Sequence, residues 1–337
     1  MHTHALRHFF AATLLLLATS TASAQLFRAY LSIDGVDTNP CTLPQPCRLL
    51  PAALAAVASG GEIWMLDSAN YNAGPVNIDK SATILAVPGT LGSVVALGGN
   101  AIEISGASVN VTLRNLNIVP FPGNAGAIGI LQYGMSSRLL LQNCNVSGFT
   151  SGSGVRAVGA DRSAVVVDSV FHDIFTAVIY LDGAFGTVSG SHFSNAEYAV
   201  HVLSMSASHS RAGVSRSTAT RSTHGFIAEA YLTASARADI SVIDSALDHM
   251  GYAGVWAHSE LGAIALASVS GSQISHSNIA VSASNSGARV YASGNQVTQN
   301  LIGFYNQNAA LFNSGGNNSV IDNDNNILGT ITPVSGS

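Results

Sequence analysis

Short apolar runs broken by single small polar residues fill this chain, and from about residue 109 onward they repeat. Eight six-residue segments fit one template: Leu113–Ile118, Leu141–Val146, Val166–Phe171, Val188–Phe193, Val214–Ala219, Val242–Leu247, Val269–Ile274 and Ala292–Val297. Their last residues lie 22 to 28 residues apart. The first position is apolar in every copy, and so is the last, reduced to alanine at Ala219. These are the inward residues of two short strands. The third position reads Asn115, Asn143, Asp168, Gly190, Arg216, Asp244, Gly271, Gly294. Asn, Asp and Gly accept a left-handed backbone, which predicts a tight bend between the strands. Arg216 departs from that set and predicts an irregular coil. The fourth position reads Leu116, Cys144, Ser169, Ser191, Ser217, Ser245, Ser272, Asn295. That is an inward stack of mostly small polar groups able to bond backbone or one another. Cys144 holds a serine slot, so it is expected to be a buried, unreactive thiol. A repeat whose period varies needs loops that absorb insertions, as a β-solenoid has.

A second strand follows each template. In Gly154–Val158, Ala177–Leu181, Ala199–Leu203, Gly225–Glu229, Gly254–His258 and Gly303–Gln307 the period of two puts Val155, Val178, Val200, Phe226, Val255 and Phe304 inside. The same rule puts Arg156, Ile179, His201, Ile227, Trp256 and Tyr305 outside. Stacked coils lie about 4.8 Å apart, so the outward residues are expected to form ladders on one long face. Near the start, Leu49–Ala58 reads as a short helix stopped by Ser59-Gly60-Gly61, a cap for the first core layer. Strands are expected at Glu62–Leu66, Val76–Ile78 and Thr83–Val87. The Asn-rich stretch Gly315–Asn326 reads as an incomplete last coil plus a tail.

The first 24 residues read as an address. A weakly basic start (His2, His4, Arg7, His8) precedes the apolar run Phe9–Leu17 and the small residues Ala22-Ser23-Ala24. That pattern predicts a signal peptide cleaved after Ala24 and an exported protein, periplasmic or extracellular. The apolar run is too short to span a bilayer. Residues 25–108 then form an N-terminal region with the first coils, 109–311 the repeating coils, and 312–337 the last coil and tail. Only 9% of residues are charged, against 47% hydrophobic, and 13 basic residues face 18 acidic ones. Nucleic-acid binding needs a basic face that this balance does not supply. Cys41 and Cys47 flank a Pro-rich loop, and export favours pairing them as a disulfide. A metal site there lacks two further ligands.

The opening Arg28-Ala-Tyr-Leu-Ser-Ile-Asp-Gly-Val-Asp-Thr-Asn-Pro-Cys41, then Pro46-Cys47, the Ala-rich helix and Gly60-Gly-Glu-Ile-Trp-Met-Leu-Asp67, resembles the start of many bacterial right-handed β-helix proteins of the pectin-lyase-like superfamily. The resemblance implies an all-β fold, a right-handed parallel β-helix with a short N-terminal capping helix. It implies less about activity: members of the superfamily cleave or bind polysaccharide, and others are phage tailspikes or adhesins.

Three functions fit these residues. The first is contact with extracellular polysaccharide through a solvent-facing trough made of Tyr133, Arg156, His201, Glu229, Trp256, His258 and Tyr305. Aromatic faces beside hydrogen-bonding groups suit sugar rings. The second is a polysaccharide lyase or glycoside hydrolase. Asp168 and Asp244 have bend roles, and Asp173 and Asp248 lie three coils apart, too far for a carboxylate pair. Thr223-His224-Gly225 echoes a His-Gly turn of polygalacturonases. The third is a protein-interaction module that uses the outward apolar residues Ile179, Leu181, Leu203 and Ile227. No cofactor is required. Metal candidates are Asp34 and Asp37 for Ca²⁺, and His249 with His276 one rung apart. The blander reading makes the first pair loop polar groups and the second solvated turn residues, because Asn195 and Gln299 hold the same slot.

Overall fold

The computed structural model describes residues 25–334; the expected signal peptide lies outside the described residues. The chain winds into a parallel β-solenoid with three faces per coil. Face 1 is a 13-stranded sheet that runs the length of the molecule, from Leu26–Leu31 to Thr332–Val334. Faces 2 and 3 belong to one 20-stranded sheet, because Val170–Leu181 and His192–Ser204 run through both. All named strand pairs are parallel, and each strand pairs with its counterpart one coil away.

The template crosses the corner between faces 1 and 2. Its third residue has positive φ in all eight copies, from 45° at Arg216 to 66° at Gly294. The expected irregularity at Arg216 is absent. Its coil keeps the register Val188↔Val214↔Val242, and Arg216 N–H donates to Ile243 O. The corner needs only a left-handed backbone and a side chain pointing out, so neighbouring ladder bonds hold arginine there at a cost of about 1–2 kcal/mol.

The fourth template residue builds a hydrogen-bond ladder along the core. Cys144 N–H donates to Ser169 Oγ, Ser169 N–H to Ser191 Oγ, and Ser191 N–H to Ser217 Oγ, each at 3.2 Å. Ser217, Ser245 and Ser272 continue it to Asn295 and Asn318. Each serine hydroxyl donates in turn to the carbonyl two residues back. Cys144 fits this column: it is 2% exposed, its thiol accepts from Leu116 N–H, and burial pushes its pKa up to about 12.

Apolar columns fill the interior. Phe171 and Phe193 stack at 5.2 Å, and Phe226 meets Phe193 edge-on at 6.2 Å beside the small Ala219. The capping helix is shorter than the sequence suggested, Leu50–Ala56, because Val57 is already extended and opens the strand Val57–Met65. Its Leu50, Ala53 and Leu54 close the first core layer. Val76–Ile78 is as expected, and the next strand is Ala82–Ala86. Cys41 and Cys47 form the expected disulfide. The Asn-rich segment is not an incomplete coil. Leu311–Gly315, Ser319–Val320, Asn325–Leu328 and Thr332–Val334 stack in register, with Asn318 and Asn323 extending the inner ladders.

Candidate functional site

Face 3 carries the outward ladder read from the sequence. Strand register aligns Arg156, Ile179, His201, Ile227, Trp256, Ser282 and Tyr305 in one column. Leu203, Glu229 and His258 form the next column. The structure brings His201, Glu229, Trp256 and His258 together. His201 Nε2 lies 2.6 Å from Glu229 Oε2, and the Trp256 and His258 rings are 4.7 Å apart. It does not bring in the others. Arg156 is two coils from His201, across Ile179, and its guanidinium is half-buried on Ser153. Tyr305 is two coils beyond Trp256, and Tyr133 stands apart in an exposed turn.

This region is a packed layer more than a trough. Tyr198 lies sandwiched between His201 and His224, with ring centroids at 4.6 and 4.5 Å. His224 also stacks on Trp256 at 5.7 Å, and Tyr252 meets both. The layer leaves His201 6% exposed and Ile227 fully buried. Ile179 and Leu203 are buried as well and Leu181 is half-buried, so most of the apolar patch expected as a partner surface is already covered. Burial would raise the Glu229 carboxyl, but the His201 hydrogen bond and then the His201, His258 and His224 imidazoles outweigh it, holding it below the ordinary range. Burial lowers His224, against the opposing pull of Glu197. Of these, His224 stood out in the sequence only through its His-Gly dipeptide, and Tyr198 and Tyr252 carried no signal there. The column Tyr198↔His224 is out of phase with the period-two rule because the strand breaks its pairing between Tyr198 and Val200.

The metal candidates separate. Asp37 Oδ1 accepts the Arg48 and Leu49 N–H groups ahead of the helix. Among the described residues only Asp248, His249 and His276 bring three ligand atoms together, so Asp34 and Asp37 gain no third ligand of that kind. His249 and His276 are turn residues with φ of 58° and 49°, as the slot predicts. The bend roles of Asp168 and Asp244 also hold, with φ of 48° and 49°.

A long open concavity lies elsewhere, on face 1. A groove of about 740 Å³ runs along the outward side of that sheet. Its floor is the column Val165, Thr187, Gly213, Ser241, Ser268, Tyr291, Asn313. Its flank is the column Ser163, Phe185, Arg211, Asp239, Leu266, Arg289. Small floor residues beside bulky flank residues make the depression. Gly213 leaves the floor open, since a Cβ there would meet only Thr187, at 3.7 Å. Seven coils at about 4.8 Å span roughly 29 Å. Arg211 lies over the Phe185 ring at 4.8 Å. Arg237 and His209 both hold Asp239, at 3.0 and 2.7 Å. Arg211 and Arg289 pair with no carboxylate among the described residues. A sequence cue existed: Phe185, Arg211, Asp239, Leu266 and Arg289 each stand three residues before a template's first position.

Comparison with known proteins agrees with the fold. The family described as "Right handed beta helix region" matches residues 90–219. The solved structure of pectate lyase Pel9A is similar, at 12% identity and TM-score 0.55, covering 86% of this chain and 79% of that one. XylC in complex with xylose is similar at 7% identity and TM-score 0.52, covering 83% and 69%. An alginate lyase from Paenibacillus sp. str. FPU-7 is similar at 12% identity and TM-score 0.50, covering 91% and 100%. No curated protein matches the sequence. The chain folds as a right-handed parallel β-helix, the fold it shares with that pectate lyase. At these identities the likeness is one of fold.

Proposed function

We propose that this is an exported β-helix protein that binds an acidic polysaccharide lengthwise along the face 1 groove. One observation carries the reading: three arginines and one carboxylate share a groove that crosses seven coils, and that carboxylate, Asp239, is already held by Arg237 and His209. The free guanidiniums of Arg211 and Arg289 suit planar, bidentate recognition of carboxylates or sulfates. Phe185 and Tyr291 offer ring faces beside them. Similarity of fold to a pectate lyase and an alginate lyase is in keeping with such a ligand.

Binding without cleavage is the form the side chains support. A cation-dependent lyase site needs several carboxylates, and this groove lines up one. Hydrolysis needs a carboxyl that stays protonated beside one that does not. Glu229, on the other face, is held ionised by its imidazole neighbours.

Affinity electrophoresis through polygalacturonate, alginate and neutral glucan gels tests the reading. Retardation is expected in the polyuronates alone and should weaken with salt. Arg211→Ala and Arg289→Ala should each reduce affinity about tenfold, or about 1.4 kcal/mol. Trp256→Ala and Tyr305→Ala on face 3 should leave it unchanged. Loss in the face 3 variants and not in the arginine variants would move the site to face 3. No retardation in any gel would end the polysaccharide reading. An ultraviolet-absorbing unsaturated product would make the protein a lyase.

A further inference from the structure

The second bend of each coil carries a column of side chains on left-handed backbone. Successive coils place Asn195, Arg221, His249, His276 and Gln299 there. Only two consecutive members are imidazoles, and a carboxylate sits beside them. We propose that Asp248, His249 and His276 form a binding site for a late first-row divalent metal ion of the zinc and copper class.

The geometry converges from two coils. His249 Nδ1 lies 2.7 Å from Asp248 Oδ2, and His276 Nδ1 lies 2.8 Å from Asp248 Oδ1. The two rings stack at 4.8 Å with only 16° between their planes. Both Nδ1 atoms therefore face one carboxylate, and all three ligand atoms fall within 4.8 Å of one another. A small inward shift of the rings replaces two hydrogen bonds with two nitrogen–metal bonds and one carboxylate–metal bond. The ligating tautomer of each ring carries its hydrogen on Nε2 and leaves the Nδ1 lone pair for the metal.

The surroundings fix the ligands in advance. Asp248 and Ser275 are strand partners, and Ser275 Oγ–H donates to Asp248 Oδ1 at 2.7 Å. Such an outer hydrogen bond orients a ligating carboxylate. Backbone bonds from His249 N–H to Ser275 O and from Met250 N–H to Ser277 Oγ hold the bend. Two nitrogens and one oxygen suit zinc, copper or nickel and not calcium or magnesium, which take oxygen donors. Three protein ligands on an exposed rim leave further coordination positions to solvent. The site lies on the corner between faces 2 and 3, and it does not depend on the face 1 groove.

Isothermal titration of the full chain with zinc chloride, and separately with copper chloride, tests the proposal. One saturable site per chain is expected that is missing from His249→Gln/His276→Gln, with copper bound more tightly than zinc. Glutamine is tolerated at this bend, since Gln299 holds the same position in the next coil. Ser275→Ala should weaken zinc binding about tenfold. Magnesium and calcium should show no site that depends on these residues. If the double variant fails to fold by circular dichroism, Asp248→Asn, which keeps both imidazoles, decides by the same loss. An isotherm unchanged in the folded variant, or no saturable binding by the wild-type chain, overturns the proposal.

Discussion

Single residues in this protein are governed mostly by the sign of φ at two bends per coil. Arg216 and His249 adopt the left-handed backbone of Asn115 or Gly271, because the stacked coils on either side hold the corner in place. His224 shows the opposite case, a residue whose surroundings override its ordinary chemistry. It packs against Tyr198, Trp256 and Tyr252, with Glu197, Glu229 and His201 nearby, and burial lowers its pKa from 6.5. A lowered histidine contributes stability that is complete above the unfolded value and is lost as pH falls through the folded one. Melting temperature should therefore begin to drop below about pH 6.5. Glu229, also lowered, adds a further loss below its ordinary 4.5. In His224→Gln the fall between pH 7 and 5 should be shallower than in the wild type, measured by thermal melts across that range. Equal slopes would show that His224 does not set the acid sensitivity.

At the scale of the coil, the serine ladder joins each rung to the next through side chain as well as backbone. Ser217 Oγ accepts from Ser191 N–H and donates to Ser215 O, and the residue is fully buried. Ser217→Ala leaves a buried N–H without its acceptor, which costs about 1–3 kcal/mol. The urea midpoint should fall accordingly, and an unchanged midpoint would mean the ladder is ornamental. Cys144 is tolerated because sulfur still accepts the Leu116 N–H. This level was the most legible in the sequence: the template's four informative columns correspond to inward strand, bend, inward ladder and inward strand. Arg216 departs from the residue preference of the bend because the ladder on either side decides its backbone. The helix boundary moved because Val57 pairs with Leu26 as a strand residue.

For the whole molecule, coils contact mainly their neighbours, so the ends are where a solenoid is weakest. The N-terminal end is closed by the helix and pinned by the Cys41–Cys47 bridge, with a sequence separation of 6. Chain-entropy arguments give such a short loop about 2 kcal/mol. Reduction should loosen the first strand and helix and leave the middle coils intact, seen as hydrogen exchange that accelerates near residues 26–56 and stays slow in the central strands. Uniform acceleration would indicate one cooperative unit instead. The face 1 groove also belongs to this scale. No one coil contains it. It exists because Arg211, Asp239 and Arg289 share a column while Gly213, Ser241 and Ser268 share the one beside it.

The sequence by itself determined the solenoid, its bends, its polar ladder, the disulfide and which strand residues face outward. Each of these depends on alternation, turn chemistry or spacing within one coil, and those are local properties of a chain. Tertiary structure decided which outward faces are open. Register stacks Tyr198, His201, His224 and Trp256 so that face 3 fills itself, burying Ile227 and closing the expected trough. The same stacking leaves face 1 hollow, because small side chains fall together there. Exposure is a property of neighbouring columns taken together, and a chain read one coil at a time does not contain it.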